Sequence, residues 1–289
     1  MVIIMAKEII IAEHAGFCFG VKRAVDIAVN RQAVEGTKTY TLGPLIHNND
    51  VINRLKEQNI VPISDTEINS LDESSSVVIR SHGVTPEVIS RIEQTGANLV
   101  DATCPYVSSI QKKARTYRDQ GYQIIIVGDA SHPEVIGING WCDNSAIITK
   151  DGSDLTDLPP KVCIVSQTTE RLSNYNKVVE YVSLHCEKVK TFNTICKATS
   201  DRQSSADEVS KKVDLMLVIG GKSSSNSKKL YEICSMNCNN TIFIENKDEL
   251  SEELFEDDKL EKVGITAGAS TPDWVIQEVV EKIKGILEI

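Results

Sequence analysis

Three cysteines stand where a thiol could do chemistry. Cys18, Cys104 and Cys196 each close a strand-like run and open a helix-like one, at separations of 86 and 92 residues. A thiol at such a junction lies beside backbone N–H groups at the start of a helix and at the positive end of its dipole. Both favour the thiolate, the form that binds metals and attacks electrophiles. Gly16 and Gly20 flank Cys18, and Pro105 follows Cys104 where a first helical turn tolerates proline. Three thiolates raise the question of a metal. Zinc would take three Cys with a His or water, and a four-iron cluster held by three Cys would leave one iron open to a ligand.

Polar groups of a second kind accompany the cysteines. His47, His82 and His132 each lie on the exit of an expected strand, where they could complete a zinc site or face an anion. Gly221 to Ser227 is a run of hydroxyl, amide and backbone N–H donors suited to an anion. It lacks the first glycine of the Walker A spacing, so it is no P-loop. The other five cysteines, Cys142, Cys163, Cys186, Cys234 and Cys238, do not share the strand-to-helix setting. Cys163 falls inside a strand and Cys186 near a helix end, and all five are assigned to packing. No C-x-x-C occurs, which argues against zinc ribbons, thioredoxin-type centres and ferredoxin-type runs.

The elements that must position these groups follow from periodicity and from Gly and Pro punctuation. Strands are expected at 8–12, 37–42, 76–80, 98–102, 123–127, 146–149, 161–165, 189–195, 214–219, 241–244 and 262–266. Helices are expected from Val21, Val51, Thr85, Tyr106, Leu172 and Trp274, and another is entered through Lys197 to Gln203, with Thr85 and Thr271 as N-cap candidates. The acidic stretch 252–261 reads as a solvated surface. Strand, cysteine turn and helix thus recur three times at a period too long for a solenoid repeat. The fold expected is α/β, with three small modules related by a pseudo-threefold. Their boundaries are placed at 20–103, 104–195 and 196–289, with an N-terminal strand over 7–19 joining them. In open α/β sheets, sites form beyond the carboxyl ends of the strands.

Bulk properties narrow the class. The chain has 289 residues, 41% of them hydrophobic and 25% charged, with a net charge of −10. An acidic balance argues against a general nucleic-acid or anionic-membrane binder, so an anionic ligand requires a local pocket. Lys7 and Glu8 interrupt the apolar start Met1-Val2-Ile3-Ile4-Met5 before a signal-peptide core could form, and no run of about 18 apolar residues occurs. A cytoplasmic protein is expected, and eight cysteines there are not expected to form a disulfide framework.

The motifs taken together resemble, end to end, those of the LytB/IspH family, the 4-hydroxy-3-methylbut-2-enyl diphosphate reductases. They are Ala15-Gly16-Phe17-Cys18-Phe19-Gly20-Val21, Gly43-Pro44-Leu45-Ile46-His47-Asn48, Arg80-Ser81-His82-Gly83-Val84 and Asp101-Ala102-Thr103-Cys104-Pro105. Ser131-His132-Pro133-Glu134, Gln167-Thr168-Thr169, Thr194-Ile195-Cys196-Lys197-Ala198-Thr199, Ser224-Ser225-Asn226-Ser227 and Gly268-Ala269-Ser270-Thr271-Pro272-Asp273 continue the family's order. Lys197 departs from the Tyr that many relatives carry there; it lies beside a cysteine and little consequence is expected.

The resemblance implies a trefoil of three modules around a central [4Fe-4S] cluster. Cys18, Cys104 and Cys196 would hold that cluster, with the fourth iron open to the substrate's allylic hydroxyl. It implies that His47, His82, His132, Ser224, Ser225, Asn226 and Ser270 bind the diphosphate. Glu134 would deliver a proton, with His132 beside it and Thr168 positioning the hydroxyl. A ferredoxin or flavodoxin would supply electrons. Two rivals share some of these residues: a zinc-dependent hydrolase built on the same cysteines, and a non-catalytic iron–sulfur sensor. Quinolinate synthase also sets three Cys in a threefold fold, but its motifs are absent from this sequence.

Overall fold

A computed structural model describes residues 8–32, 38–257 and 259–288. Lys7 and Thr37, the expected starts of two strands, lie outside the described residues, as do the apolar start 1–5, Asp258 and Ile289. In chain order the elements are β1 (Glu8–Ile11), α1 (Phe19–Gln32), β2 (Lys38–Leu42), α2 (Asn49–Glu57), β3 (Ile60–Ile63), β4 (Ser75–Ile79) and α3 (Pro86–Gln94). Next come β5 (Asn98–Asp101), α4 (Pro105–Asp119), β6 (Gln123–Val127), α5 (Pro133–Gly140), β7 (Ile147–Thr149), β8 (Lys161–Ser166), α6 (Leu172–His185) and β9 (Lys188–Thr191). The last are α7 (Lys197–Ser210), β10 (Leu215–Ile219), α8 (Ser225–Asn237), β11 (Thr241–Ile244), β12 (Lys262–Ala267) and α9 (Asp273–Leu287).

Among the described residues the strands form three four-stranded sheets, ordered β3-β2-β4-β5, β7-β6-β8-β9 and β11-β10-β12-β1. Every pairing is parallel. The three orders are one order. In each sheet the first strand of a set sits second, its successor takes the edge beside it, the third sits on its other side, and the fourth closes the far edge. The fourth strand of the last set is β1, from the start of the chain, which pairs along β12 from Glu8↔Lys262 to Ile11↔Ile265. Each cysteine of the recurring motif follows a fourth strand: Cys18 after β1, Cys104 after β5 and Cys196 after β9.

Parallel strands covered on both faces read as continuous apolar runs, and β4 and β10 are buried at every position. Alternate residues of β10 enter separate cores. Leu215, Leu217 and Ile219 pack with Val275, Val279 and Ile283 of α9, while Met216 and Val218 pack with Ala206, Leu230 and Cys234 of α7 and α8. In the β6 sheet Ile124 and Ile126 face Ile110 and Ala114 of α4, and Ile125 and Val127 face Val178 and Val182 of α6. Each Val, Leu, Ile or Met side chain among these contributes about 1.5–3 kcal/mol by leaving water.

The chain forms two compact units: Met1–Cys18, His47–Val51 and Lys197–Ile289 in one, Phe19–Ile46 and Ile52–Cys196 in the other. The first holds the β10 sheet and the second holds the other two. Three elements escape the sequence patterns. β3 carries Pro62, which suits its edge position; α5 holds two glycines; and α8 opens on Ser225-Asn226-Ser227, which reads as loop. His132 and Ser224 cap α5 and α8, their side chains accepting from Glu134 N and Ser227 N. No helix among the described residues is long and apolar enough to cross a membrane.

Candidate active site

The sheet order determines where loops can converge. In each sheet the first and third strands are neighbours whose crossovers leave in opposite directions, and ligands bind beyond the carboxyl ends of such strands. The expected polar residues lie on those exits. Ser81-His82 follows β4, Gly128 to Glu134 follows β6, and Gln167-Thr168 follows β8. In the β10 sheet, Gly220 to Ser227 follows β10 and Gly268 to Ser270 follows β12.

In the unit with the β2 and β6 sheets, Cys104 is the N-cap residue of α4, with Pro105 at the first helical position. Its backbone N–H donates to Ser81 O at 3.0 Å. Arg23 of α1 donates to Ala102 O and Thr103 O, each at 3.2 Å, and so pins the carbonyls just before the cysteine. A Cβ on Gly20 would lie 2.7 Å from Cys104 Sγ, so only glycine lets α1 begin there. Cys196 donates its N–H to Thr168 O at 3.0 Å. Its approach is tied to β8 by Thr194, whose hydroxyl donates to Ser166 O and accepts from Ser166 N, both at 2.7 Å.

Glu134 and Thr168 meet directly. Thr168 donates its backbone N–H to Oε1 and its hydroxyl to Oε2, each at 2.6 Å. Glu134 is buried in the first turn of α5, where a carboxylate complements the helix dipole. His132 is buried beside it, and its Nδ1 accepts from Glu134 N at 3.2 Å, which places the proton of a neutral ring on Nε2. The rings of His132 and His82 meet edge to face with centroids 5.3 Å apart. This unit therefore brings Cys196, Thr168, Glu134, His132 and His82 into one connected series, with Cys104 held to the residue before His82.

In the unit with the β10 sheet, Cys18 donates its N–H to Ala269 O at 3.2 Å, beside Ser270. Gly16, at φ +99, makes the turn that precedes it. Its carbonyl accepts from Arg202 Nη2 at 2.7 Å, while Arg202 Nη1 donates to Ala198 O at 2.8 Å. His47 O accepts from Ser270 Oγ at 3.2 Å, and His47 Nδ1 lies 3.3 Å from Ser223 Oγ. Gly221 passes so close to His47 O that no side chain fits there. Ser224 caps α8, and Ser225 and Asn226 stand in its first turn. The Asn226 amide is buried, and neither its Nδ2 nor its Oδ1 has a hydrogen-bond partner among the described residues. Such an amide costs about 1–3 kcal/mol unless a ligand supplies the missing bonds.

The five remaining cysteines behave differently. Cys142, Cys163, Cys234 and Cys238 belong to the apolar cores and Cys186 packs against one. Burial pushes the thiol of Cys142 up to about 11 and those of Cys163 and Cys234 up to about 12, and it raises that of Cys186. Protonated thiols make poor ligands. Cys18, Cys104 and Cys196 are partly exposed at helix starts. Sequence patterns had not marked Arg23 or Arg202. Arg23 reaches Ala102 O and Thr103 O, and Arg202 reaches Gly16 O, all far along the chain, and no local spacing signals that. Lys197 is exposed.

The chain is similar to known proteins over nearly its whole length. The family model described as LytB protein matches residues 9–284. A 4-hydroxy-3-methylbut-2-enyl diphosphate reductase of Clostridium perfringens strain SM101 is 54% identical over 280 residues, covering 97% of this chain and 99% of its own. Among solved structures, an (E)-4-hydroxy-3-methyl-but-2-enyl diphosphate reductase, described as the terminal enzyme of the non-mevalonate pathway, is 42% identical with a TM-score of 0.69, covering 96% and 99% of the two chains. The Plasmodium falciparum E-1-hydroxy-2-methyl-but-2-enyl-4-diphosphate reductase is 25% identical with a TM-score of 0.89, covering 96% and 88%.

Proposed function

This chain belongs to the LytB protein family, and on that footing we propose that it removes the hydroxyl of 4-hydroxy-3-methylbut-2-enyl diphosphate by reduction. The products are isopentenyl and dimethylallyl diphosphate, and the reaction is the terminal step of the non-mevalonate pathway. The observation that carries this is the 54% identity spread over nearly the full length of both chains.

The family carries an iron–sulfur cluster. In this chain Cys18, Cys104 and Cys196 would hold it as [4Fe-4S], with the fourth iron lacking a protein ligand. Their placement after the fourth strand of each sheet, with thiols at helix starts, supports that ligand set. When bound, the cluster supplies electrons one at a time and a Lewis-acidic iron for the hydroxyl oxygen. The overall change breaks the allylic C–O bond, consumes two electrons and two protons, and releases water.

The protein's own groups do the rest. Glu134 delivers the proton that the departing oxygen needs. Thr168, bonded to both carboxylate oxygens, sets the carboxylate's direction and positions the substrate hydroxyl, with the buried His132 beside them. His47, His82, His132, Ser224, Ser225, Asn226 and Ser270 bind the diphosphate. The unmet hydrogen bonds of the Asn226 amide and the α8 N-terminus support that role. Neutral donors of this kind hold an anion within an acidic protein without a stack of lysines.

Ferredoxin or flavodoxin as electron donor, a cytoplasmic location and the module division 20–103, 104–195 and 196–289 with strand 7–19 complete the proposal. The repeated sheet order supports the division. A zinc-dependent hydrolase would use the same cysteines, and metal content separates the two. Protein purified without oxygen is expected to be brown and to contain iron and sulfide. A colourless protein with one tightly bound zinc would overturn the reading.

A further inference from the structure

The three sheets share a detail at their switch points. The first residue after the first strand is glycine each time: Gly43 after β2, Gly128 after β6 and Gly220 after β10. The first residue after the third strand is Arg80 after β4, Gln167 after β8 and Gly268 after β12. In two sheets the crevice between these residues is filled and neutral. Gln167 packs over Gly128, its Oε1 accepting from Asp129 N at 3.1 Å and its Nε2 donating to Thr169 Oγ1 at 2.8 Å. Ser227 fills the space between Gly220 and Gly268.

The β2 sheet differs. Arg80 lies over Gly43, with Nη1 3.0 Å from where a Cβ would stand. Its Nε is buried without a hydrogen-bond partner, and no ion pair reaches the guanidinium among the described residues. The crevice it enters is open, with a volume of about 220 Å³. Leu42, Ile63, Val88 and Ile136 wall it, and Ile136 is an exposed apolar side chain at 48%. The acidic residue on its lining is Asp65, which is already engaged by Arg91 at 3.1 Å. None of His82, His132, Glu134 or Thr168 lines it.

A guanidinium with a buried, unpaired Nε and no counter-ion among the described residues, at the mouth of an apolar crevice, is suited to an anionic ligand. We propose that the Arg80 crevice is a second binding site, for a small amphipathic anion: one carboxylate or phosphate head on a short aliphatic tail. Arg80 takes the head in a forked contact, and Leu42, Ile63, Val88 and Ile136 cover the tail. The volume is below the roughly 300–1,000 Å³ of pockets for drug-sized ligands, so a tail of only a few carbons fits.

Titration calorimetry of the cluster-loaded enzyme with 3-methylbutanoate tests this, with inorganic phosphate and neutral 3-methylbutanol as comparison probes. One 3-methylbutanoate per chain is expected, bound at least tenfold more tightly than either comparison probe. Arg80→Met should weaken it tenfold or more. Val88→Trp, which fills the crevice and keeps the charge, should do the same while unfolding cooperatively. Equal binding of phosphate and 3-methylbutanoate would overturn the amphipathic assignment. Unchanged binding in a folded Val88→Trp variant, or no binding of any anion by the wild type, would overturn the site.

Discussion

Thr168 grips Glu134 at both carboxylate oxygens, by its backbone N–H and by its hydroxyl, each at 2.6 Å. The carbonyl of the same threonine accepts from the N–H of Cys196 at 3.0 Å. One residue thus connects the carboxylate proposed to move a proton with the backbone of a cysteine proposed to hold the cluster. A displacement of either is felt by the other through two hydrogen bonds.

Glu134→Gln should therefore fold, keep its iron and bind substrate, but lose turnover by about 10²–10⁴-fold, the usual worth of a positioned acid. Thr168→Val keeps the backbone donation and loses the hydroxyl, so a smaller loss in kcat is expected. Steady-state rates at matched iron content measure both. Near-normal turnover in Glu134→Gln would remove Glu134 from the proton path.

Cys104 and Cys163 should respond oppositely to the same substitution. Cys104→Ser takes a soft ligand from the start of α4 and is expected to lose the cluster or hold it loosely. Cys163→Ser alters a core position in β8 and should leave iron content unchanged at some cost in stability. Iron and sulfide per chain decide the matter, and equal cluster loss in both would show the ligand set to be wrong.

Buried thiols make the fold sensitive to alkali. Burial moves the Cys163 thiol from 9.0 to about 12. Below pH 9 both states carry the proton and the contribution to stability is complete. Above it the unfolded chain releases a proton that the native state retains, so stability falls as pH rises towards 12, by up to about 1.4 kcal/mol per pH unit. Denaturant melts between pH 8 and 10.5 should show a shallower decline in Cys163→Ala than in the wild type. Identical slopes would contradict the burial argument.

Much of this site can be read from the sequence, because its chemistry sits where patterns change. Cys18, Cys104 and Cys196 mark the passage from strand to helix, and the histidines mark strand exits. What cannot be read there is pairing at a distance. Glu134 and Thr168 are joined across 34 positions, and Arg202 reaches Gly16 across 186; no local periodicity encodes either contact. α5 and α8 are hidden for another reason. Their glycines, serines and asparagines have weak helix propensity, and caps at His132 and Ser224 together with core packing supply what propensity does not. The common strand order emerges only once β1 is seen beside β12, since β1 lies more than 200 residues earlier in the chain.

The central claim concerns the reaction itself, and turnover tests it most directly. Enzyme purified and assayed without oxygen, with an artificial electron donor and 4-hydroxy-3-methylbut-2-enyl diphosphate, should form isopentenyl and dimethylallyl diphosphate while oxidising two donor electrons per substrate. Iron-loaded protein that binds the substrate yet yields neither product, or releases phosphate in place of either, would contradict it.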